Sequence, residues 1–131
     1  MDRATRDSVI ERAGNACEYC RLPQSAQPFV TFHVDHVIAT QHREDDSLEN
    51  LCLSCQGCNL RKGTNLATID FVTDAMVRVF NPRSDVWKEH FEIIDYVIVG
   101  KTGIGRATAR LLAMNDPSRV ELRQLRKISG E

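Results

Sequence analysis

Hydrophobic positions near the start of the chain recur with the spacing of a helix. Val9, Ile10 and Ala13 lie on one face at this spacing, among charged residues. Thr5 is a candidate N-cap for the helix, and Gly14 is a candidate stop. The pattern therefore predicts that the chain opens with an amphipathic helix.

The pattern then changes to one that is typical of β-strands. Residues 29–38, FVTFHVDHVI, are rich in β-branched and aromatic side chains and predict a strand. A polar loop containing residues 43–47, REDDS, follows, and residues 50–54 then predict a short strand or turn. A helix is expected near residues 55–62, closed by Gly63. The predicted order is strand, loop, strand and helix.

The second half of the chain predicts short strands and helices. Residues 64–83 carry apolar positions without a clean period and end in a turn signal, NPR. The elements expected next are a short helix in DVWKEHF, a hairpin or bent strand in EIIDYVIV, a helix in GRATARLLAMN and a last helix that starts at Asp116 and Pro117. We therefore predict an α+β fold, with a core at residues 1–63 and a C-terminal helical extension at residues 64–131. The extension, with its short hairpin, is expected to pack on the core as one compact unit.

Composition sets limits on what this chain can be. With 131 residues, of which 42% are hydrophobic, it is long enough for one domain with a modest core, which a structural metal would help to stabilise. No apolar run approaches the length that spans a membrane, and the first fourteen residues are charged and lack an apolar signal core. We therefore expect a soluble, cytoplasmic protein without a membrane partner. The sequence leaves the oligomeric state open.

The formal net charge of −1 argues weakly against a general nucleic-acid binder, but the charges are unevenly distributed. The stretch from Lys101 to Lys127 holds seven basic residues against two acids, Asp116 and Glu121. It predicts either a basic face for nucleic acid or a solvated helix surface. The basic residues are Lys101, Arg106, Arg110, Arg119, Arg123, Arg126 and Lys127.

Five cysteines supply a clear chemical signal. Two CxxC turns, CEYC and CQGC, each suit one metal ion, because a two-residue spacer lets both sulfurs reach the same tetrahedron. In a cytosolic chain this spacing favours zinc over disulfides. Cys52 is then a buried spare, although pairing it with Cys55 would instead leave Cys58 unused. The residues predicted to form a closed, structural zinc site are Cys17, Cys20, Cys55 and Cys58.

Other residues between and after the two CxxC turns suit phosphodiester hydrolysis. Histidine exchanges protons near neutral pH, so His36 suits a general base. A hard divalent cation prefers oxygen ligands, which Asp35 and Asn59 supply as a carboxylate and a carbonyl. Two protein ligands leave coordination positions for water and a substrate phosphate, as a catalytic metal requires. Each residue alone is more often a turn or strand-end residue, and their joint order favours catalysis.

In this order the residues resemble the HNH endonuclease family, in its HNN-type variant with a four-cysteine zinc site. The matching residues are Asp35 and His36, then Asn50 in LENL, then Asn59 in CQGCNLRKG, where the family has its last His or Asn. The resemblance puts the second CxxC pair directly before Asn59, which makes Cys52 the spare cysteine. It implies a ββα-metal (His-Me finger) nuclease core with a structural zinc knuckle.

The resemblance also implies an activity. The family consists of metal-dependent endonucleases, so the chain is expected to use Mg²⁺ or Mn²⁺ to cut nucleic acid and to leave 5′-phosphate ends. The substrate expected in the first place is double-stranded DNA. Asn50 would brace the loop and set the direction of His36, while Arg61 and Lys62 would contact phosphate oxygens. His42 would touch substrate or metal. The acidic REDDS loop departs from the glycine-rich loop of many relatives. The alternative function is a zinc-stabilised nucleic-acid-binding module without catalysis.

One further stretch, VIVGKTGIGRA, imitates a phosphate-binding loop without matching one. The full pattern needs a glycine five residues before Gly100, where the chain has Asp95. A GxGxxG pattern that starts at Gly103 fails at Thr108. We therefore predict a tight turn that caps a helix.

Overall fold

The computed structural model describes residues 1–128, with side chains up to residue 126. The chain divides into two compact units, and each is described by itself below. Unit 1 comprises residues 1–65 and 81–84, and unit 2 comprises residues 66–80 and those from Asp85 onward. The boundary predicted at residue 63 and the expected contact between the extension and the core both stay predictions.

Unit 1 is built on an antiparallel pair of strands followed directly by a helix. Its helices and strands are α1 (Arg3–Arg12), β1 (His33–His36), β2 (Leu51–Ser54) and α2 (Gln56–Lys62). Short 3-10 helical turns at Gln24–Ala26 and Leu48–Asn50 precede the two strands. In the strand pair Asp35 lies opposite Cys52, and His36 lies opposite Leu51.

The core of unit 1 lies along β2, which is buried over its whole length. Helix α1 packs against β2 and contributes Val9, and the residue just before β1, Phe32, is buried as well. Helix α2 begins after Cys55, whose sulfur accepts a hydrogen bond from the Cys58 N–H, and it ends at Gly63 with φ 51°. The predicted helix and its glycine stop are confirmed.

Two predicted boundaries in unit 1 are wrong. The N-cap of α1 is Asp2, whose Oδ1 accepts a hydrogen bond from the Thr5 N–H at 2.7 Å. Strand β1 starts later than the predicted residue 29, because the Gln24 side chain occupies backbone groups that a strand would offer. Its Nε2 donates to the Val30 carbonyl at 2.6 Å, and its Oε1 accepts from the Phe32 N–H at 2.9 Å.

Unit 2 consists of two hairpins and three helices within the described residues. Its elements are β3 (Ala67–Asp70), β4 (Ala75–Arg78), α3 (Trp87–His90), β5 (Phe91–Ile94), β6 (Val97–Gly100), α4 (Gly103–Leu111) and α5 (Pro117–Ile128). β3 pairs with β4 and β5 with β6, each antiparallel. The predicted combination of helices and strands is confirmed. Within residues 1–128 no helix has both the length and the apolar character needed to cross a membrane.

The turn between β6 and α4 explains the glycines of the imitation phosphate loop. A Cβ on Gly100 would lie 2.2 Å from the Arg106 backbone nitrogen, and one on Gly105 would lie 2.0 Å from the His90 carbonyl oxygen. Neither position therefore has room for a side chain. Thr102 caps α4 by accepting a hydrogen bond from the Gly105 N–H at 3.0 Å. As predicted, this is a tight turn that caps a helix.

Several basic residues of unit 2 are engaged within it. Arg106 makes a two-point ion pair with Asp70, in which Nη2 lies 2.7 Å from Oδ2. Main-chain carbonyl oxygens accept hydrogen bonds from Lys101, Arg119 and Arg123. These four side chains hold unit 2 together, which argues against their forming an open basic face. The side chain of Lys127 lies outside the described residues.

Candidate active site

Four cysteines of unit 1 come together in its core. Their sulfur atoms all lie within 4.8 Å of one another, and all four residues are buried. They are the predicted residues Cys17, Cys20, Cys55 and Cys58. Four sulfur ligands in a closed, buried cluster are the donor set of structural zinc sites, so the residues present fit zinc.

Hydrogen bonds at the cluster favour the thiolate form of Cys55, the form that zinc binds. The Cys58 N–H points at Cys55 Sγ at 3.4 Å, and the Cys20 N–H points at Cys17 Sγ at 3.5 Å. Hydrogen bonds from the other three thiols, that of Cys17 first, hold the pKa of Cys55 far below its usual range. Burial raises the pKa of the Cys17 thiol, so a full set of thiolates requires a cation to offset its charge.

Cys52 stands outside this cluster. It is fully buried in β2, with its Sγ 3.8 Å from the Tyr19 hydroxyl. Burial raises the pKa of Cys52 to about 12, so the thiol stays neutral and behaves as a small hydrophobic residue. The alternative that paired Cys52 with Cys55 and left Cys58 unused is wrong, because Cys58 is the residue that joins the cluster.

Asp35 carries a buried oxygen atom without a hydrogen-bond partner. Its Oδ2 accepts no hydrogen bond from any residue that the structure describes. The Lys62 ammonium lies 3.6 Å from this oxygen, within ion-pair distance but long for a hydrogen bond. Burial raises the pKa of the Asp35 carboxyl, and the charge of Lys62 opposes that shift. One oxygen of this buried carboxylate is therefore left without a hydrogen bond to offset its desolvation.

Lys62 points into unit 1 rather than into solvent. Only 1% of its surface is accessible, and its Nζ donates to the His36 carbonyl oxygen at 3.2 Å. The sequence predicted phosphate contacts for Lys62 and Arg61. The structure instead directs Lys62 inward, because its ammonium is held between the Asp35 carboxylate and that carbonyl. Arg61 is exposed on the same helix.

The His36 ring lies at the end of β1 and is partly open to solvent. One quarter of its side chain, 25%, is accessible, and its Nε2 lies 2.7 Å from Oδ1 of Asp46. Asp46 was not among the predicted site residues. It is one of three neighbouring acids in the REDDS loop, and its contact with His36 depends on the conformation of that loop.

Asn50 ties the loop after β1 to the start of β2. Its Oδ1 accepts from the Ile38 N–H at 2.9 Å, and its Nδ2 donates to the carbonyls of Ile38 and Asp45 at 3.0 and 2.9 Å. Its own carbonyl accepts from the Val37 N–H at 2.8 Å. The residue is buried. One buried amide therefore holds both ends of the loop, and its predicted part as a brace for His36 stays a prediction.

The other predicted residues lie on α2 and in the loop after β1. Asn59 is half-buried on α2 and lies three residues before Lys62, which makes the two residues neighbours on the helix surface. His42 lies in the loop, and its ring Nε2 is 3.0 Å from the Thr64 carbonyl oxygen. The structure thus brings Asp35, Lys62 and the loop held by Asn50 to the end of β1, while His42 binds the segment after α2.

A cavity of about 500 Å³ opens beside Asn50 in unit 1. The charged residues that line it are Arg12, Arg43, Asp45, Glu49 and Arg83. Three cations against two acids give the lining a positive balance, which suits an anionic ligand. Arg12 donates to the carbonyls of Leu48 and Leu51, and Arg83 pairs with Glu18.

Known proteins resemble this chain in the segment that carries the site. Residues 17–65 match the family model described as HNH endonuclease, which confirms the resemblance over the cysteine cluster, β1, β2 and α2. The chain is also 26% identical over 117 residues to the Septu protein PtuB of Bacillus thuringiensis, covering 86% of this chain and 42% of that protein. The chain therefore spans about two-fifths of the length of this curated relative. No solved structure matches significantly.

Proposed function

We propose that this protein, whose residues 17–65 match the HNH endonuclease family, is a metal-dependent nuclease that hydrolyses phosphodiester bonds. The substrate we propose is nucleic acid, double-stranded DNA in the first place. The antiparallel strands β1 and β2, followed by α2, would be the ββα-metal core that the family implies. The cysteine cluster would hold zinc as a structural support for this core.

The observation that carries the proposal is the buried Oδ2 of Asp35, which accepts no hydrogen bond although the Lys62 ammonium lies 3.6 Å away. A buried acceptor that accepts no hydrogen bond costs about 1–3 kcal/mol, and more when it is charged. A hard cation such as Mg²⁺ or Mn²⁺ prefers carboxylate oxygens and would remove this cost. Asn59, a neighbour of Lys62 on the surface of α2, would supply a second oxygen. Asp35 therefore fits the part of a metal ligand.

The remaining residues at the end of β1 have chemical roles in this proposal. His36 would accept the proton of the attacking water, because its ring is partly exposed and histidine changes protonation near neutral pH. The cation, when bound, would supply Lewis-acid stabilisation of the developing negative charge. Asn50 would hold the loop after β1 and thereby the direction of the ring. Lys62 would keep Asp35 ionised through its charge rather than contact phosphate.

Substrate binding would use exposed cations of unit 1. Arg61 is exposed near the end of α2, and Arg43 lines the cavity beside Asn50. Arginine can hold phosphate oxygens through two N–H groups at once. His42, next to Arg43, would contact the same strand. Cleavage would leave 5′-phosphate ends, as the family implies.

Plasmid cleavage tests the proposal. Zinc-loaded protein is incubated with supercoiled plasmid and Mg²⁺ or Mn²⁺, and nicked and linear products are measured. His33 is exposed at the other end of β1, so His33→Ala is a matched control for the loss of a histidine. We expect cleavage by the wild type and by His33→Ala, and a rate lower by about 10²- to 10⁴-fold in His36→Ala.

Two results would count against the proposal. Cleavage that survives His36→Ala would indicate a contaminant or a different base. Intact plasmid with all three proteins, together with retained binding in a gel-shift assay, would favour the zinc-stabilised nucleic-acid-binding module without catalysis.

The metal ligands have a separate test. Asp35→Ala and Asn59→Ala should each raise the Mn²⁺ concentration that gives half-maximal cleavage, because each removes one oxygen ligand. Zinc content should stay at the wild-type value, because the four cysteines are unchanged. A Mn²⁺ dependence equal to that of the wild type would refute the ligand assignment while leaving the nuclease proposal in place.

A further inference from the structure

We propose that Asp46 is a positioning residue for His36, which it holds in the tautomer that leaves Nδ1 free to accept a proton. The inference rests on the proposed function and adds to it a residue that the family resemblance does not supply. It is carried by the 2.7 Å contact between Asp46 Oδ1 and His36 Nε2.

This contact fixes which ring nitrogen carries the hydrogen. An ionised carboxylate can only accept hydrogen bonds, so Nε2 of His36 must be the donor. In the neutral imidazole the other nitrogen, Nδ1, then carries the lone pair. A carboxylate bound to one ring nitrogen sets the orientation of a histidine as well as its tautomer. His36 therefore presents Nδ1 as the base.

Asp46 is exposed, but the residues on both sides of it are held. The Asp45 carbonyl accepts a hydrogen bond from Asn50 Nδ2 at 2.9 Å. The Asp45 carboxylate accepts from both the N–H and the hydroxyl of Ser47, at 3.0 and 2.6 Å. These bonds order the backbone around Asp46, so less conformational entropy is lost when its side chain faces His36.

The same buried amide controls both partners of the contact. Asn50 binds Ile38, two residues after His36, and it also binds Asp45, one residue before Asp46. One side chain thereby sets the separation between the base and its carboxylate. Other charged groups nearby are used elsewhere, since Asp45 binds Ser47 and Lys62 binds the main-chain carbonyl of His36.

The chemical consequence concerns one proton. Nδ1 of His36 takes it from the attacking water while the water oxygen bonds to phosphorus and the bond from phosphorus to the leaving 3′ oxygen breaks. The leaving oxygen takes its proton from solvent. The ring becomes an imidazolium that the Asp46 carboxylate stabilises, and the Nε2 hydrogen stays on nitrogen. Asp46 therefore acts through His36 and touches neither substrate nor metal.

Nuclear magnetic resonance tests the tautomer without any need for cleavage. Ring ¹⁵N chemical shifts of His36 are recorded in zinc-loaded protein without Mg²⁺ or Mn²⁺, at a pH at which the ring is neutral. We expect a protonated Nε2 and an unprotonated Nδ1 in the wild type. Glu44→Gln, which removes a charge from the same loop, should match it, whereas Asp46→Asn should show a mixture of tautomers. Ring shifts in Asp46→Asn that equal those of the wild type would overturn the proposal.

Kinetics supply the second readout. We expect Asp46→Asn to lower kcat about 10- to 100-fold, as loss of a carboxylate partner does for other functional histidines. KM and the Mn²⁺ concentration for half-maximal activity should stay within about twofold of the wild type, because Asp46 touches neither substrate nor metal. Asp46→Glu, which keeps the carboxylate, should recover part of the loss. A kcat loss equally large in Glu44→Gln would overturn the assignment to Asp46.

Failure of the nuclease proposal would look different. If the wild type does not cleave nucleic acid under any of these conditions, the proposed function falls. The ring shifts would then still support or overturn the hydrogen bond between Asp46 and His36.

Discussion

Replacing Lys62 with methionine should destabilise unit 1, because it leaves a buried carboxylate without its cation. The side chains of Lys62 and Asp35 are only 2% and 18% exposed. Methionine keeps most of the length and the apolar stem of lysine and removes the ammonium. The variant therefore separates the effect of the charge from the effect of side-chain volume.

The magnitude follows from the distance between Lys62 Nζ and Asp35 Oδ2. At 3.6 Å, with the effective dielectric constant of about 20 that suits partly buried sites, Coulomb's law gives an attraction of about 5 kcal/mol. Part of this is offset because the variant no longer desolvates an ammonium. Removing one partner of a buried pair typically costs about 3–5 kcal/mol. We expect the free energy of unfolding of unit 1 to fall by about 3–4 kcal/mol near pH 8.

The loss should depend on pH, with a sign that the Asp35 carboxyl determines. Burial already raises the pKa of Asp35, and Lys62 opposes that shift, so removing Lys62 raises the pKa further. A carboxyl whose native pKa lies above its unfolded value favours the native state when protonated, and this contribution is lost as the pH rises through the native pKa. The destabilisation by Lys62→Met should therefore be smaller at about pH 5.5 than at about pH 8.

Native-state hydrogen exchange is the suitable assay, because it reports local stability in each unit. Amide protection in Leu51–Ser54 reports unit 1, and protection in Val97–Gly100 reports unit 2. Zinc is kept saturating, and exchange is corrected for the intrinsic effect of pH. We expect Lys62→Met to lose protection in Leu51–Ser54 and to keep it in Val97–Gly100. Arg61→Met is the control, because Arg61 is an exposed cation on the same helix, and it should keep protection in both segments.

The double variant Asp35→Asn with Lys62→Met removes both charges and should regain part of the lost stability. Three results would refute the reasoning. The first is a fall in the free energy of unfolding of less than about 1 kcal/mol near pH 8, which is typical of surface ion pairs. The second is a fall that does not change with pH, and the third is a double variant as unstable as Lys62→Met alone.

Three further predictions concern other parts of the chain. Cys58→Ser should lose zinc to a chelator that leaves Cys52→Ala loaded, as measured by chromogenic zinc titration; equal retention by the two variants would contradict the ligand set. Asn50→Ala should speed hydrogen exchange in residues 37–45, and unchanged exchange there would exclude a brace. Gly105→Ala should lower the free energy of unfolding of unit 2 by about 1–3 kcal/mol or more, because the added Cβ would collide with the His90 carbonyl oxygen. Thermal unfolding followed by Trp87 fluorescence measures this, and an unchanged melting curve would contradict the close approach.

The cysteine cluster could be predicted because its signal is local. A two-residue spacer by itself brings each pair of sulfurs together, and the resemblance to the HNH endonuclease family indicated Cys58 rather than Cys52 as the fourth member of the cluster. Helix α2 was predicted for a similar reason, since its start after Cys55 and its stop at Gly63 are set by adjacent residues. These local features do not depend on the tertiary contacts of the rest of the chain.

The hairpin of β3 and β4 could not be read from the hydrophobic pattern. Its strands hold only four residues each, and the segment that joins them exposes Phe71 and Val72, at 56% and 62%. Apolar residues in a turn hide the alternation that identifies strands. The turn closes at Asp74, which has φ 60°, a conformation that aspartate adopts more readily than most residues.

The roles of Lys62 and Asp46 could not be predicted because they depend on tertiary contacts. A lysine beside an arginine on a short helix has no local feature that tells whether it points to solvent or to a buried carboxylate. Lys62 points inward because Asp35, in β1, lies within ion-pair distance of its ammonium group. Asp46 is one acid among three in a loop, and its contact with His36 depends on the hydrogen bonds that Asn50 and Ser47 make with Asp45.

The positions of Asp35 and His36 limit where a phosphate could bind on the proposed function. Adjacent residues of a strand point to opposite faces, so the two can serve one phosphate only at the end of the strand, and β1 ends at His36. Asp35 faces α2 through Lys62, and His36 faces the acidic loop through Asp46. A phosphate reached from both would lie beyond the last residue of β1, bordered by that loop. Because the loop carries negative charge, a divalent cation would be needed there to offset repulsion as well as to supply Lewis-acid chemistry.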